Sequence, residues 1–350
     1  MKKIVRPTLR RRSKALAQKH ERITNETVAQ HREKILAGGR KFKYPVQYAQ
    51  HRLVLNTIFI SLLALVVLVG VTWWQLYPAQ NTGAFFYRLT QLVPLPVASV
   101  DGQPVSYRDY LMQYRSSIFW LESKSGTETF NINSSDGQRE AEHFKRQSLN
   151  QAIEDAYAQK IANQRHLTVS SKEIDDFIAN AIQTSSNQHK LSQQAYATVL
   201  SDSLGVSTDE YRLIVQEALL KQKVSFAIDA PAKTKIDAAQ ASLVKGTSFE
   251  DTVVAYSDDD FAKTTKGDVG YVPRSNQDQG LVQAALKLKK GDVSGIIKGA
   301  DAYYIVKLID IKQDQVRYER LRVKLTTFDS QLALLKKQHK VQEYINVPNN

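Results

Sequence analysis

The chain has 350 residues, a formal net charge of +13 at pH 7 and no cysteine. The lack of cysteine excludes disulfide frameworks, cysteine nucleophiles and thiolate metal sites. None of the seven histidines falls in an H-x-x-x-H spacing, so the sequence does not support a zinc hydrolase, and we expect neither a metal nor a cofactor.

The first predicted element is a single membrane-spanning helix over residues 53–76. No charged residue lies between Arg52 and Arg88, and residues 58–71 are almost continuously apolar. About 20 apolar residues suffice to cross a bilayer, and Trp73 and Trp74 stand at the end of the run, where aromatic rings favour the headgroup level. A cleaved signal peptide fits less well, because the preceding basic stretch is too long and no small-residue cleavage site follows.

The positive charge is concentrated before this helix. Residues 1–52 contain 15 Lys or Arg and three acidic residues and so carry +12 of the +13. The positive-inside rule then predicts a cytoplasmic N-terminus and extracytoplasmic C-terminal domains in a single-pass protein of the cell membrane. We expect the basic tail to bind anionic lipid. Contact with RNA or a ribosome is the alternative, and we do not adopt a nucleic-acid partner.

We expect residues 77–96 to form a connector that lies along the outer leaflet or packs on the next domain. Residues 97–228 then predict a mostly helical domain. It opens with a short strand and a tight turn at Asp101-Gly102. Ser106, Ser170 and Ser207 each precede an acidic residue by three positions, the spacing of a helix-capping box. Residues 327–346 predict a last helix that returns to this domain.

The order of these signals resembles the helical chaperone domain of the SurA/PrsA/trigger-factor class. The segments that carry the resemblance are VASVDGQPVSYRDY, LNQAIEDAYAQKIANQRHLTVSSKEIDDFI and LGVSTDEYRLIVQEALLKQKV. The resemblance implies a chaperone that binds unfolded or exported polypeptides.

Residues 229–326 resemble the parvulin (PpiC-type) peptidyl-prolyl isomerase domain. The matching phrases include KGDVGY at 266–271, LKLKKGDVS at 286–294 and AYYIVKL at 302–308. The predicted fold class of the chain is therefore α+β: a transmembrane helix, a helical chaperone domain, and a parvulin-like four-stranded sheet with helices.

The resemblance also implies site residues. Asp268 matches the Asp/Cys position and Tyr304 replaces a histidine, so these two are the predicted catalytic residues. Leu281 and Leu286 match two Phe positions, Gln277 falls at a Met position, and Phe249 belongs to a matching phrase; these four are the predicted substrate-binding residues. No histidine occurs from 190 to 338, so both family imidazoles are missing.

The first strand of the parvulin pattern is also missing before residue 232. VRYERLRVKLTTF, residues 316–328, resembles the absent phrase, with Arg320 at the place of its histidine. We therefore predict that this C-terminal strand fills the vacant position, which makes the module circularly permuted.

Two functions fit these observations. The first is a membrane-anchored foldase with isomerase activity on exported polypeptides. The second is a chaperone or scaffold in which the isomerase fold is inactive. A third hypothesis, that the basic tail tethers nucleic acid to the membrane, makes the folded domains secondary.

Overall fold

The computed structural model describes residues 24–43, 45–124, 131–132, 134–185, 192–276 and 278–348. By its internal contacts the chain divides into two compact units, Met1–Thr72 and Trp73–Asn350. The first contains helix α1 (Asn25–Lys43) and most of helix α2 (Pro45–Leu76). The part of α2 from His51 to Leu76 is long and apolar enough to cross a membrane, with a mean hydropathy of 2.7.

The second unit begins with a helical region built around two long helices. Its helices are α3 (Ala84–Leu92), α4 (Tyr107–Lys124), α5 (Ser135–Arg165), α6 (Ser171–Ser185), α7 (Gln193–Leu204) and α8 (Thr208–Ile228). The predicted caps form: Ser207 and Glu210 make a reciprocal capping box at the start of α8, and Ser170 and Glu173 exchange the same pair of bonds before α6. Satisfying these otherwise unpaired N–H groups fixes where the helices begin.

A small sheet closes the helical region. Strands β1 (Pro96–Val100) and β2 (Gln103–Ser106) are joined by the predicted turn, in which Asp101 and Gly102 have φ of 46° and 84°. Both values are left-handed, as a two-residue hairpin turn requires.

The predicted C-terminal helix over 327–346 is shorter than expected. Helix α13 (Thr327–Lys337) returns to the helical region and buries Phe328 and Leu332 in its core. The chain then turns at His339, with φ of 55°, and forms strand β7 (Val341–Glu343) against the open edge of β1. Pairing with that edge satisfies backbone groups that a longer helix would leave unpaired.

A separate four-stranded antiparallel sheet follows the helical region in sequence. Its strands are β3 (Asp268–Pro273), β4 (Ile297–Lys298), β5 (Ala302–Ile311) and β6 (Gln315–Lys324), in the order β3-β6-β5-β4. Strand β6, which the sequence predicts over residues 316–328, thus lies between β3 and β5. The segment before the module is helical, because α8 ends at Ile228 and helix α9 (Ala230–Val244) begins two residues later.

Each face of this sheet has its own cover. Helices α9 and α10 (Phe249–Tyr256) pack on the side of Tyr303 and Ile305, which we call the α9 face. The short helix α12 (Leu281–Ala285) packs on the side of Tyr304 and Val306, the α12 face. Helix α11 (Asp260–Thr265) precedes β3. Helix α12 begins at Leu281 because Asp278, Gln279 and Gly280 before it have left-handed φ values of 29°, 56° and 86°.

Candidate functional site

Tyr304 is buried on the α12 face, with apolar core residues and the polar Arg322 as neighbours. Its side chain is 2 % exposed, and its strand partner on β6 is Arg322. A β-carbon at Gly299 would lie 2.6 Å from the Tyr304 ring, so glycine is what lets the β4–β5 turn approach the tyrosine. Burial raises the pKa of Tyr304 above its usual range, and the phenol stays protonated at neutral pH.

Arg320 lies two residues along β6 on the same face and connects two acidic segments. Its Nη2 is 3.2 Å from Asp259 Oδ2, and its Nη1 is 3.5 Å from Asp278 Oδ1. The guanidinium side chain remains 28 % exposed, against 14 % for Asp259 and 20 % for Asp278. A guanidinium has five N–H donors, so Arg320 can hold both carboxylates and still donate to a ligand.

The two carboxylates are themselves held in place by local structure. Asp259 caps α11 by accepting a hydrogen bond from Ala262 N at 3.0 Å. Burial alone would raise the pKa of Asp259, but this backbone bond and the charge of Arg320 outweigh it and hold the pKa below its usual range. Asp278 accepts a hydrogen bond from the hydroxyl of Tyr318. Each carboxylate is thus held by a second hydrogen bond besides its ion pair with Arg320.

The structure separates the two predicted catalytic residues. Asp268 lies on the α9 face, where it binds Arg317 through Nε at 3.1 Å and accepts from Gly270 N at 2.9 Å. Tyr304 is on the opposite face, because Asp268 pairs with Glu319 of β6 and Tyr304 pairs with Arg322, an odd number of positions further along that strand. The structure places Asp268 at the start of β3, away from Tyr304, and the hydrogen bond from Arg317 holds the pKa of Asp268 below its usual range.

The predicted substrate-binding residues are also divided. Leu281 and Leu286 both pack on the α12 face; Leu281 is fully buried, and Leu286 keeps some exposed surface. Phe249 does not join them: it is buried on the α9 face and lines a cavity of about 390 Å³ together with Val293 and Lys307. Gln277 lies outside the described residues.

Asp259, Asp278 and Tyr318 are absent from the predicted site. They come from three separate segments, and only the pairing of β6 with β3 and β5 brings them around Arg320. One signal in the sequence could have pointed to these residues. Arg320 falls where the resemblance implies a histidine, and a half-buried arginine needs acidic partners. Among the described residues, no group of three or more His, Asp or Glu side chains is arranged to hold a metal ion.

Comparison with known proteins supports the predicted resemblance. Residues 47–225 match the SurA-like N-terminal domain, and residues 218–310 match the PPIC-type PPIase domain. The second match ends before β6.

Individual relatives cover smaller parts of the chain. Foldase protein PrsA 1 of Bacillus cereus is 38% identical over 84 residues, which are 23% of this chain and 29% of the relative. Foldase protein PrsA of Caldanaerobacter subterraneus subsp. tengcongensis is 26% identical over 224 residues, 60% of this chain and 72% of the relative. A crystal structure of the peptidylprolyl isomerase PrsA from Bacillus anthracis matches 54% of this chain and 87% of its own at 16% identity, with a TM-score of 0.17, too low to compare the folds.

The chain therefore spans less than a third of the first relative. The SurA-like match, by contrast, extends over more than half of this chain. The chain belongs to the family of proteins with a SurA-like N-terminal domain, joined here to a PPIC-type domain in the manner of the SurA/PrsA foldases.

Proposed function

We propose that this protein is a membrane-anchored foldase that accelerates the cis–trans isomerisation of X–Pro bonds in exported polypeptides. The observation that carries the proposal is the position of Arg320. It stands where the resemblance implies a histidine, is held by Asp259 and Asp278, and lies on the same sheet face as Tyr304.

Prolyl isomerisation is accelerated by a hydrogen-bond donor close to the prolyl nitrogen. Rotation about the X–Pro bond breaks its partial double-bond character, with a barrier of about 20 kcal/mol. In the twisted state the prolyl nitrogen regains a localised lone pair that can accept a hydrogen bond, which the planar amide does not offer. A donor that meets this lone pair lowers the barrier, because it binds the transition state more strongly than the ground state. Arg320 supplies such a donor without a proton transfer.

The apolar side of the site is provided by the cover of the α12 face. Leu286 presents partly exposed surface next to the buried Leu281. A proline ring seated on this surface is removed from water, which favours binding in proportion to the area covered. Tyr304 and Tyr318 are buried on the same face, and the hydroxyl of Tyr318 donates to Asp278.

The organisation of the chain is part of the same proposal. Residues 1–52 are the cytoplasmic tail, 53–76 the transmembrane helix, 77–96 the connector, 97–228 with 327–346 the chaperone domain, and 229–326 the parvulin-like domain. The apolar stretch in α2 and the charge difference across it support the anchor and its direction. The central place of β6 and the end of the family match before it support a circular permutation.

A chaperone with an inactive isomerase fold is the second candidate. It is favoured by the two ion pairs that already engage Arg320 and by the complete burial of Leu281. In this alternative the same surfaces bind extended chains without twisting the amide.

One experiment separates the two candidates. The full chain in lipid vesicles is assayed for isomerisation of a proline peptide by a protease-free method, and for suppression of aggregation of an unfolded client. The foldase proposal expects a rate that rises linearly with protein concentration. Suppression of aggregation without any gain in rate would favour the inactive chaperone, and the loss of both would reject both functions.

A further inference from the structure

Helix α3, Ala84–Leu92, has one face packed on the protein and one face exposed. Phe86 and Tyr87 pack against the core of the helical region, and Thr90 is 3 % exposed. On the other side Phe85 is 71% exposed and Leu92 is 83% exposed. These two are seven positions apart and therefore share a stripe of the helix.

This exposed stripe begins close to the end of α2. Asn81 N donates to Gln75 O at 2.8 Å, and Gly83 N donates to the Asn81 side chain at 2.8 Å. The chain thus turns back beside the last turn of α2 before α3 starts at Ala84. Asn81, three residues before α3, is therefore in contact with the last turn of α2.

The end of α2 is fixed to the same folded body. Leu76 is fully buried, and its carbonyl accepts a hydrogen bond from the hydroxyl of Tyr107. The hydroxyl of Tyr77 donates to Pro96 O at 2.8 Å. The rings of Trp73 and Trp74, 56% and 60% exposed, are therefore held in a set position relative to α3.

The charge pattern around α3 suits lipid. Arg88 is the single charged residue between positions 53 and 100, and it lies on the exposed stripe between Phe85 and Leu92. An arginine flanked by apolar side chains can bury its methylene stem and reach the phosphate level with its guanidinium. Residues 53–100 contain no carboxylate that would repel an anionic headgroup, and the Glu210 carboxylate, which reaches α3 from α8, is bound by Tyr87 and Gln91.

We propose that α3 lies in the membrane interface, with Phe85 and Leu92 inserted at the boundary between headgroups and acyl chains and Arg88 on a lipid phosphate. The inference rests on the proposed membrane anchor and adds a second contact beside it. Its consequence is that the helical region is held against the bilayer in one orientation, instead of swinging on a flexible stalk.

The natural absence of cysteine allows a direct test in the full chain. Four single-cysteine variants, Phe85→Cys, Leu92→Cys, Leu65→Cys and Val244→Cys, are spin-labelled in vesicles of phosphatidylcholine and phosphatidylglycerol. Leu65 reports on the anchor. Val244, 82% exposed on α9, is the matched water-exposed control. Accessibility to oxygen, which concentrates in lipid, is compared with accessibility to a water-soluble nickel chelate, and circular dichroism checks that each labelled chain keeps its helix content.

The inference expects labels at 85 and 92 to show an oxygen-to-nickel ratio several-fold above that at 244. If they match position 244 while position 65 reports lipid, the inference is wrong and the anchor stands. Shielding of 85 and 92 from both reagents would mean that protein covers α3, which also overturns it. A water-like signal at position 65 would reject the anchor, and the inference with it.

Discussion

Arg320 and Asp259 form an ion pair, 3.2 Å from Nη2 to Oδ2, between the central strand of the parvulin-like sheet and the capped start of α11. In the proposed permutation, this pair puts a charged donor at the position where the resemblance implies an imidazole. In this account the arrangement of charge around the prolyl bond is preserved although the residue types have changed.

The first prediction concerns the carboxylate of this pair. Asp259→Asn keeps an efficient helix cap but removes the charge that orients Arg320. We expect the free energy of unfolding to change by no more than about 1 kcal/mol, while kcat/KM for a proline peptide falls about tenfold, or about 1.4 kcal/mol in transition-state stabilisation.

The matched control for this variant is Asp260→Asn on the same helix. The Asp260 side chain is 97% exposed, and its replacement should leave kcat/KM unchanged. Equal losses in the two variants would show that the orientation of Arg320 by Asp259 is unimportant.

The second prediction concerns Asp229, which joins the two ends of the parvulin-like domain. Its carboxylate is 1 % exposed and accepts hydrogen bonds from Ala232 N at 3.0 Å, Thr326 N at 2.6 Å and Thr327 N at 2.9 Å. Asp229→Ala leaves these N–H groups unpaired, and we expect a loss of about 3 kcal/mol in the free energy of unfolding by urea.

Asp237→Ala serves as its control, because Asp237 is on the same helix with a side chain 47% exposed; it should cost less than about 1 kcal/mol. Asp229→Asn, which keeps an acceptor, should fall between the two. The pKa of Asp229 is lowered because its backbone hydrogen bonds outweigh burial. Its contribution is therefore present above the usual carboxyl pKa and is lost as the pH falls through the lowered value. An Asp229→Ala variant as stable as the Asp237→Ala variant would contradict this role.

The third prediction concerns a buried acid in the helical region. Burial, with the nearby charges of Asp109 and Asp155, raises the pKa of Glu217 to about 9, although Arg108 opposes the shift. Burial likewise raises the pKa of Asp155 to about 6, against hydrogen bonds from Gln151 and Gln113 and the charge of Lys221.

At Glu217 the folded state therefore binds more protons than the unfolded state between the usual carboxyl pKa and about pH 9. Its stability must fall as the pH rises through that window, by up to about 1.4 kcal/mol per pH unit for one group. Glu217→Gln, which mimics the protonated acid, should flatten the decline between pH 6 and about 8.5. The exposed Glu140→Gln is the control and should keep the slope. An unchanged slope in Glu217→Gln would show that Glu217 is ionised in the folded protein.

The fourth prediction tests the permutation. A chain that ends at Asp314 lacks β6 and should lose cooperative unfolding of the parvulin-like domain, because β3 and β5 lose their shared partner. A chain that ends at Thr326 keeps β6 and should retain this transition, although it lacks α13 and β7. Dispersed amide resonances from β5 report on the sheet. A domain that stays cooperatively folded without residues 315–350 would disprove the permutation.

The sequence predicts the local structure well wherever local chemistry decides it. The serine caps at 170 and 207 and the Asp101-Gly102 turn form as expected, because each depends on residues within three positions of one another. The phrase at residues 316–328 also predicts a strand, and β6 forms there.

The grouping of site residues was less predictable because it depends on sheet faces. A shift of one residue in register moves a side chain to the opposite face, and β3 has an irregularity between Asp268 and Tyr271. A phrase match gives the position of Asp268 along the chain but not its face. Asp259 and Asp278 meet at Arg320 only after β6 takes its central place, which no local pattern encodes.

In the proposed function, Arg320 on the α12 face promotes isomerisation. The most direct measurement compares kcat/KM for a proline peptide in Arg320→Ala and Arg317→Ala, two arginines of the same strand that point to opposite faces. The account predicts a loss of at least about tenfold, or about 1.4 kcal/mol, for Arg320→Ala, and nearly the native rate for Arg317→Ala. Equal rates in the two variants, or a larger loss at Arg317, would contradict it.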